Sequence, residues 1–182
     1  MRGRLALTSL RRFVRASRGS VASSSNSQHV SRFANRRWST DVLVLDTNVI
    51  SELMRPGPAP TVTTWLALQT PTDVFLTAVT EAELRYGVAL IPDGRRRRAL
   101  ERVVDGIISE DFRGRVLPFD SQVAPAYARI VSERRAAGRP ISQLDAQIAA
   151  IAFTHAATLA TRNVRDFEGC NLELVDPWTE RD

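Results

Sequence analysis

A chain of 182 residues with 43% hydrophobic side chains can close one ordinary core, and about one domain is expected at that length. No run approaches the roughly 18 apolar residues of a membrane span. Cys170 is the only cysteine, so no intrachain disulfide can form, and two histidines (His29 and His155) cannot furnish a His-rich zinc or iron site. The net charge of +5 is unevenly spread: residues 1–40 hold nine arginines and no acid, and the rest holds 16 arginines against 20 acidic residues. Every base is arginine, a bias that weakens any claim that particular arginines were chosen for RNA.

Residues 1–40 are rich in Arg and Ser and lack apolar periodicity, a composition that predicts disorder. Three explanations compete for this tail: a start codon placed too far upstream, a mitochondrial transit peptide, or a basic arm for nucleic acid. Residues 41–179 read as the folded domain. Val42-Leu43-Val44-Leu45 is an unbroken apolar run that suits a strand covered on both faces of a parallel sheet. It ends in Asp46-Thr47-Asn48, and a short helix over Val49–Met54 runs to Pro56-Gly57-Pro58. Pro60 starts a helix carrying Val62, Trp65, Leu66 and Leu68, followed by a turn at 70–73 and a second strand over Val74–Ala78. Helices are predicted from Thr80 to Leu90 and from Arg95 to about Ser109, the latter with Arg95-Arg96-Arg97-Arg98 opposite its apolar stripe.

Val116 and Leu117 centre a third strand, Asp120 caps a helix reaching Ala137, and Ser142 opens the most apolar helix, with Leu144, Ile148 and Ile151 among alanines. Thr158–Thr161 is a fourth strand, 163–169 a loop, and Leu172–Val175 a fifth strand. Strands alternate with helices throughout. That order predicts an α/β fold, a three-layer α/β/α sandwich around a mainly parallel sheet.

A carboxylate at the C-terminal end of a buried strand lies in the crevice where open α/β sheets bind ligands. Asp46 has that position. Glu83, in the first turn of its helix, Asp145, in the first turn of the most apolar helix, and Asp166, in the loop after the fourth strand, are placed to reach the same edge. With Glu83 facing the crevice, Glu81 points about 160° away at ~100° per residue. Four carboxylates offer hard oxygen donors suited to magnesium or manganese, which would activate water and neutralise charge on a phosphodiester. Without a cation they repel one another, and at least one should have a raised pKa. A plainer assignment stands beside each: Asp46 or Asn48 as a helix cap, Thr80–Glu83 and Ser142–Asp145 as capping boxes, and Asp166 as an ordinary loop aspartate.

Four stretches in order carry a resemblance: Leu45-Asp46-Thr47-Asn48-Val49-Ile50-Ser51-Glu52-Leu53, Thr80-Glu81-Ala82-Glu83-Leu84-Arg85-Tyr86-Gly87, Leu144-Asp145-Ala146-Gln147-Ile148-Ala149-Ala150, and Ala160-Thr161-Arg162-Asn163-Val164-Arg165-Asp166-Phe167. Together they resemble PIN domains of the VapC toxin family, especially its FitB-like branch, across 42 to about 178. The resemblance implies a Mg²⁺- or Mn²⁺-dependent endoribonuclease that acts as the toxin of a type II toxin–antitoxin pair in the cytoplasm. It implies that Asp46, Glu83, Asp145 and Asp166 form the acidic metal-binding set, with Asn48 and Thr161 as supports; on the chemistry of the residues Asp46 and Asp145 hold the metal, with Glu83 and Asp166 open as further ligands, direct or through water. It further implies a homodimer, an RNA substrate and a cognate antitoxin. The basic tail departs from the pattern and bears on localisation, leaving a mitochondrial alternative open.

Other readings are weaker on chemical grounds. A phosphatase of the haloacid-dehalogenase type wants a second Asp two residues after the first, where this chain has Asn48. A Rossmann enzyme wants a glycine-rich loop after the first strand, where this chain has Asp-Thr-Asn. A catalytically silent PIN-like module that binds RNA or protein remains the alternative, and the four acids together argue against it.

Overall fold

The computed structural model describes residues 42–179, and the expectations for residues 1–40 lie outside the described residues. Its centre is β1 (Leu43–Leu45), in which every residue is buried. Leu43 and Leu45 point into one apolar cluster and Val44 into the other, the alternation a strand imposes on successive side chains. Both clusters need apolar partners, which is why the strand has no polar interruption.

β2 (Val74–Thr77), β3 (Val116–Leu117), β4 (Thr158–Ala160) and β5 (Leu174–Val175) complete one five-stranded sheet in the order β3-β2-β1-β4-β5. Every pairing is parallel, with Leu43 opposite Val74 on one side and Leu45 opposite Ala160 on the other. The chain first builds outward from β1 through β2 to β3, then crosses back to place β4 on the other flank of β1. The reversal makes the C-terminal ends of β1 and β4 a topological switch point, the place where such sheets bind their ligands.

On one face lie α1 (Thr47–Leu53), α2 (Pro60–Ala67), α3 (Ala78–Ala89) and α4 (Arg95–Gly106), which bury Ile50, Leu53, Val62, Leu66, Leu84 and Val104 against Leu45 and Leu76. On the other lie α5 (Ala124–Ala136) and α6 (Gln143–Thr154). α6 buries Ala146, Ile148, Ala149, Ala150, Ile151 and Ala152 completely. The alanines let its axis approach the sheet, while each buried isoleucine contributes about 2 kcal/mol from apolar area removed from water. A four-residue helix, α7 (Val164–Phe167), follows β4. Among the described residues no helix is long and apolar enough to cross a membrane.

Four local expectations change. α3 begins at Ala78 because Thr77, still extended, takes the cap: its hydroxyl accepts from the Thr80 amide at 2.9 Å. Thr80 is therefore inside the helix, and Glu83 belongs to the second turn. Asp120 heads a turn, accepting from the Gln122 amide at 2.9 Å, and α5 starts only at Ala124, with Pro125 in its first turn. Leu144, in the first turn of α6, is 45% exposed. The segment predicted as a loop after β4 contains α7, too short to show a helical period.

Candidate active site

Asp46 follows β1 directly, and its amide donates to the Ala160 carbonyl at 2.9 Å, extending the β1–β4 pairing one residue further. Its side chain caps α1, with Oδ1 accepting from the Thr47 amide at 2.7 Å. Oδ2 accepts from Asn48 Nδ2 at 2.6 Å and from the Thr161 hydroxyl at 2.7 Å. Capping and site-building are thus one arrangement in this residue.

The supports are themselves locked. Asn48 Oδ1 accepts from the Arg162 amide at 3.2 Å, which decides which end of the Asn48 side chain faces Asp46. Thr161 Oγ1 accepts from Asn48 Nδ2 and from the Asn163 amide, both at 3.0 Å. A hydroxyl has two acceptor positions and one proton, so the Thr161 proton is committed to Asp46. Three of the roughly four lone-pair positions of the Asp46 carboxylate are used, and one on Oδ1 is left.

Asp46 is only 5% exposed. Burial pushes its pKa up to about 6 from 3.8; the Thr161 and Thr47 hydrogen bonds pull against that, and the charges of Asp145 and Glu83 add to it. Two of the other three acids are therefore close enough to be felt at Asp46. Glu83 is tied in by Thr47, whose hydroxyl donates to Glu83 Oε2 at 2.5 Å. Asp145 is held by Ser142: the hydroxyl donates to Asp145 Oδ2 at 2.6 Å and accepts from the Asp145 amide at 3.1 Å. Ser142 is thus the N-cap of α6, and because the Asp145 carboxylate accepts from the Ser142 hydroxyl in place of the Ser142 amide, the reciprocal half of a capping box is not made.

The PIN-domain family model matches residues 43–168, from the first residue of β1 to just past α7. The chain belongs to the PIN-domain family. It is 39% identical over 137 residues to VapC ribonuclease Y4jK of Sinorhizobium fredii, a match covering 75% of this chain and 98% of that one. Toxin FitB of Neisseria gonorrhoeae is 42% identical over 137 residues, covering 75% of this chain and 99% of FitB. Among solved structures, that of FitAB bound to an IR36 DNA fragment superposes with a TM-score of 0.73 at 40% identity, covering 78% of this chain and 99% of that one. The crystal structure of FitAcB from Neisseria gonorrhoeae gives 0.70 at 39% identity, covering 76% and 100%. These relatives place the chain in the VapC/FitB branch of the family.

Within this PIN domain, Asp46, Asn48, Thr161 and Glu83 form one hydrogen-bonded chain through Thr47, and Asp145, bonded to Ser142, is felt at Asp46 only through its charge. Asp166 stands apart: it lies on α7, exposed, and its main chain is held, the amide donating to the Asn163 carbonyl and the carbonyl accepting from Arg134. Glu81 turns away from the site and pairs with Arg85 at 2.8 Å, as the helical angle predicts. Among the described residues no three of His, Cys, Asp and Glu stand together as a finished metal cage. The donor set nonetheless suits a hard cation: carboxylate oxygens only, a lone pair left on Asp46 Oδ1, and an acid pressed toward its neutral form by burial and two like charges.

Three residues around the site, two of them outside it, were not expected from the sequence. Glu52 is 7% exposed and accepts from the Ala59 amide at 2.8 Å and from Arg55 at 3.0 Å, fixing the junction of α1 and α2. Arg162, whose amide orients Asn48, lays its guanidinium 5.4 Å from the Trp178 ring centre. Arg134 is 6% exposed in α5. Only Arg134 had a signal in the sequence, its spacing of four from Ile130 on the buried stripe. A cavity of about 400 Å³ lined by Leu43, Trp65, Asp73, Thr158 and Glu173 opens at the strands' opposite ends and takes no part in the site.

Proposed function

We propose that this protein is a Mg²⁺- or Mn²⁺-dependent endoribonuclease, the toxin of a type II toxin–antitoxin pair. The observation that carries the reading is Asp46: a buried carboxylate at the switch point, oriented by three hydrogen bonds and crowded by Glu83 and Asp145. Burying a carboxylate within reach of the charges of Glu83 and Asp145 works against stability, and a bound cation would offset it. Asp46 and Asp145 would hold the ion, with Glu83 and Asp166 completing the shell. When bound, such an ion polarises a water and a phosphodiester oxygen.

The chain's own residues supply the rest. Thr161 and Asn48 hold the Asp46 carboxylate in one plane, and Thr47 fixes the adjacent Glu83. Glu83 and Asp166 serve to orient the attacking water or accept its proton, the role of a general base. The exposed arginines Arg95, Arg96 and Arg98 offer phosphate contacts, while Arg97 is engaged with Asp93 at 3.6 Å and Glu101 at 2.9 Å.

The likeness to the FitAB and FitAcB structures supports a partner protein, and we extend the reading to a cognate antitoxin that blocks the site, a homodimer and action in the cytoplasm. The purified full chain, incubated with total RNA, should produce fragments with Mg²⁺ or Mn²⁺ and none with EDTA, and the fragments should cease when a co-expressed antitoxin is present. Metal-dependent RNA binding without fragments would favour the silent module instead.

A further inference from the structure

Arg134 is buried in α5 while its neighbour Arg135 is exposed. Taking a guanidinium out of water is unfavourable unless its donors find partners. Those donors meet one short turn: Nη1 donates to the Glu168 carbonyl and Nη2 to the Asp166 carbonyl at 3.2 Å. Nε is buried without a hydrogen-bond partner among the described residues. Gly169 covers the group at φ +78°, and a Cβ there would sit 3.8 Å from Arg134 Cδ and Nη1. A residue needed only for packing four places after Ile130 would be leucine or methionine. The arginine instead directs its fork at the main chain of the turn that carries Asp166.

A second clasp runs beside it. Gly138 adopts φ +68°, the left-handed conformation that ends α5, and the Arg139 amide returns to the Arg134 carbonyl at 2.9 Å. The turn thus made lets Arg139 reach the Glu168 carboxylate at 2.7 Å. The same connection continues directly to Ser142 and Asp145. Asp145 and Asp166 arrive on different elements, and Arg134 ties α5, the helix before the Asp145 connection, to the turn that carries Asp166.

We infer that Arg134 is a positioning residue for the reaction, setting where Asp166 stands relative to Asp145 without itself touching RNA. The inference rests on the ribonuclease reading above and adds a buried residue remote from the substrate. Lysine would replace it only in part, because an ammonium lacks the planar fork that meets both carbonyls at once.

The test is a cycle of Asp166→Asn, Arg134→Met and the double variant in the full chain, scored by RNA cleavage and by amide hydrogen exchange. Each single variant should lower kcat by roughly 10–100-fold, the usual effect of losing a group that orients a metal-site ligand, with KM within about threefold. The double variant should be no slower than the slower single one, since both act through one carboxylate. In Arg134→Met the amides of Asp166, Glu168 and Cys170, now bonded to Asn163, Val164 and Phe167, should exchange faster while those of β1 do not. If Arg134→Met does not fold, Arg134→Lys replaces it, with the same losses at smaller size. A folded variant with wild-type kcat, or single effects that multiply in the double, would overturn the inference and leave the ribonuclease reading standing. Wild-type cleavage by Asp166→Asn would remove Asp166, and the inference with it. Absence of metal-dependent cleavage by the wild-type chain would end both.

Discussion

Asp46 is held at a disadvantage. Its pKa of about 6 against 3.8 means that the folded protein grips this proton harder than the unfolded chain does. Stability from this group is therefore greatest below about pH 4, falls as pH rises to about 6, and stays lower by roughly 3 kcal/mol above that. Asp46→Asn removes the titration. In EDTA, the stability of wild type minus that of the variant should decline between about pH 4 and about pH 7.5, read by urea unfolding at each pH. A difference constant across that range would show that the carboxylate is not strained.

Thr161 offers a second test at this scale. Its hydroxyl is the first of the hydrogen bonds that lower the Asp46 pKa. Thr161→Val should push that pKa above about 6 and move the acidic limb of the pH–rate profile to higher pH. The rate should fall by roughly 10–100-fold as Asn48 and the Asn163 amide lose their acceptor. An unshifted limb would show that Thr161 does not tune the carboxylate.

At the scale of elements, strands and helices with clear periods were legible, and their ends were not. β1 and α6 could be read directly because burial on two faces, or on one packed face, leaves a pattern over many residues. The starts of α3 and α5 depend on which of several adjacent polar groups wins the cap. Thr80 and Asp120 both looked suitable, and tertiary position gave α3 its cap at Thr77 and sent Asp120 into a turn. α7 has too few residues to announce itself. The α1–α2 junction yields a test of its own. Glu52→Ala leaves the Ala59 amide unpaired beside the core and should lower stability by about 1–2 kcal/mol in urea unfolding. Cleavage by the folded fraction should stay within about twofold, because Glu52 supports the junction and not the acids. A larger loss of rate at full folding would place Glu52 in the site.

At the scale of the whole molecule, the strand order gathers residues from distant parts of the sequence. Asp46 and Thr161 lie 115 positions apart, Thr47 and Glu83 36, and Arg134 and Asp166 32. The first two meetings could be anticipated, since residues following parallel strands share one edge of a sheet. The third could not, because it joins an arginine to main-chain atoms, for which sequence carries no side-chain signal. The central position of β1 also makes metal and stability interdependent. Manganese should raise the melting temperature of the wild-type chain, since a ligand bound only by the folded form stabilises it. Asp46→Asn should show little of that rise. Equal rises would locate the ion elsewhere.

The central claim, that Asp46 anchors a metal-dependent ribonuclease site, is tested most directly by cleavage of a defined RNA by the metal-stripped full chain. Wild type and Asp46→Asn would be compared in EDTA and after Mn²⁺ is restored. Cleavage by the wild type is expected only after restoration, and none by the variant in either state. Cleavage by Asp46→Asn at the wild-type rate, or by the wild type undiminished in EDTA, would contradict it.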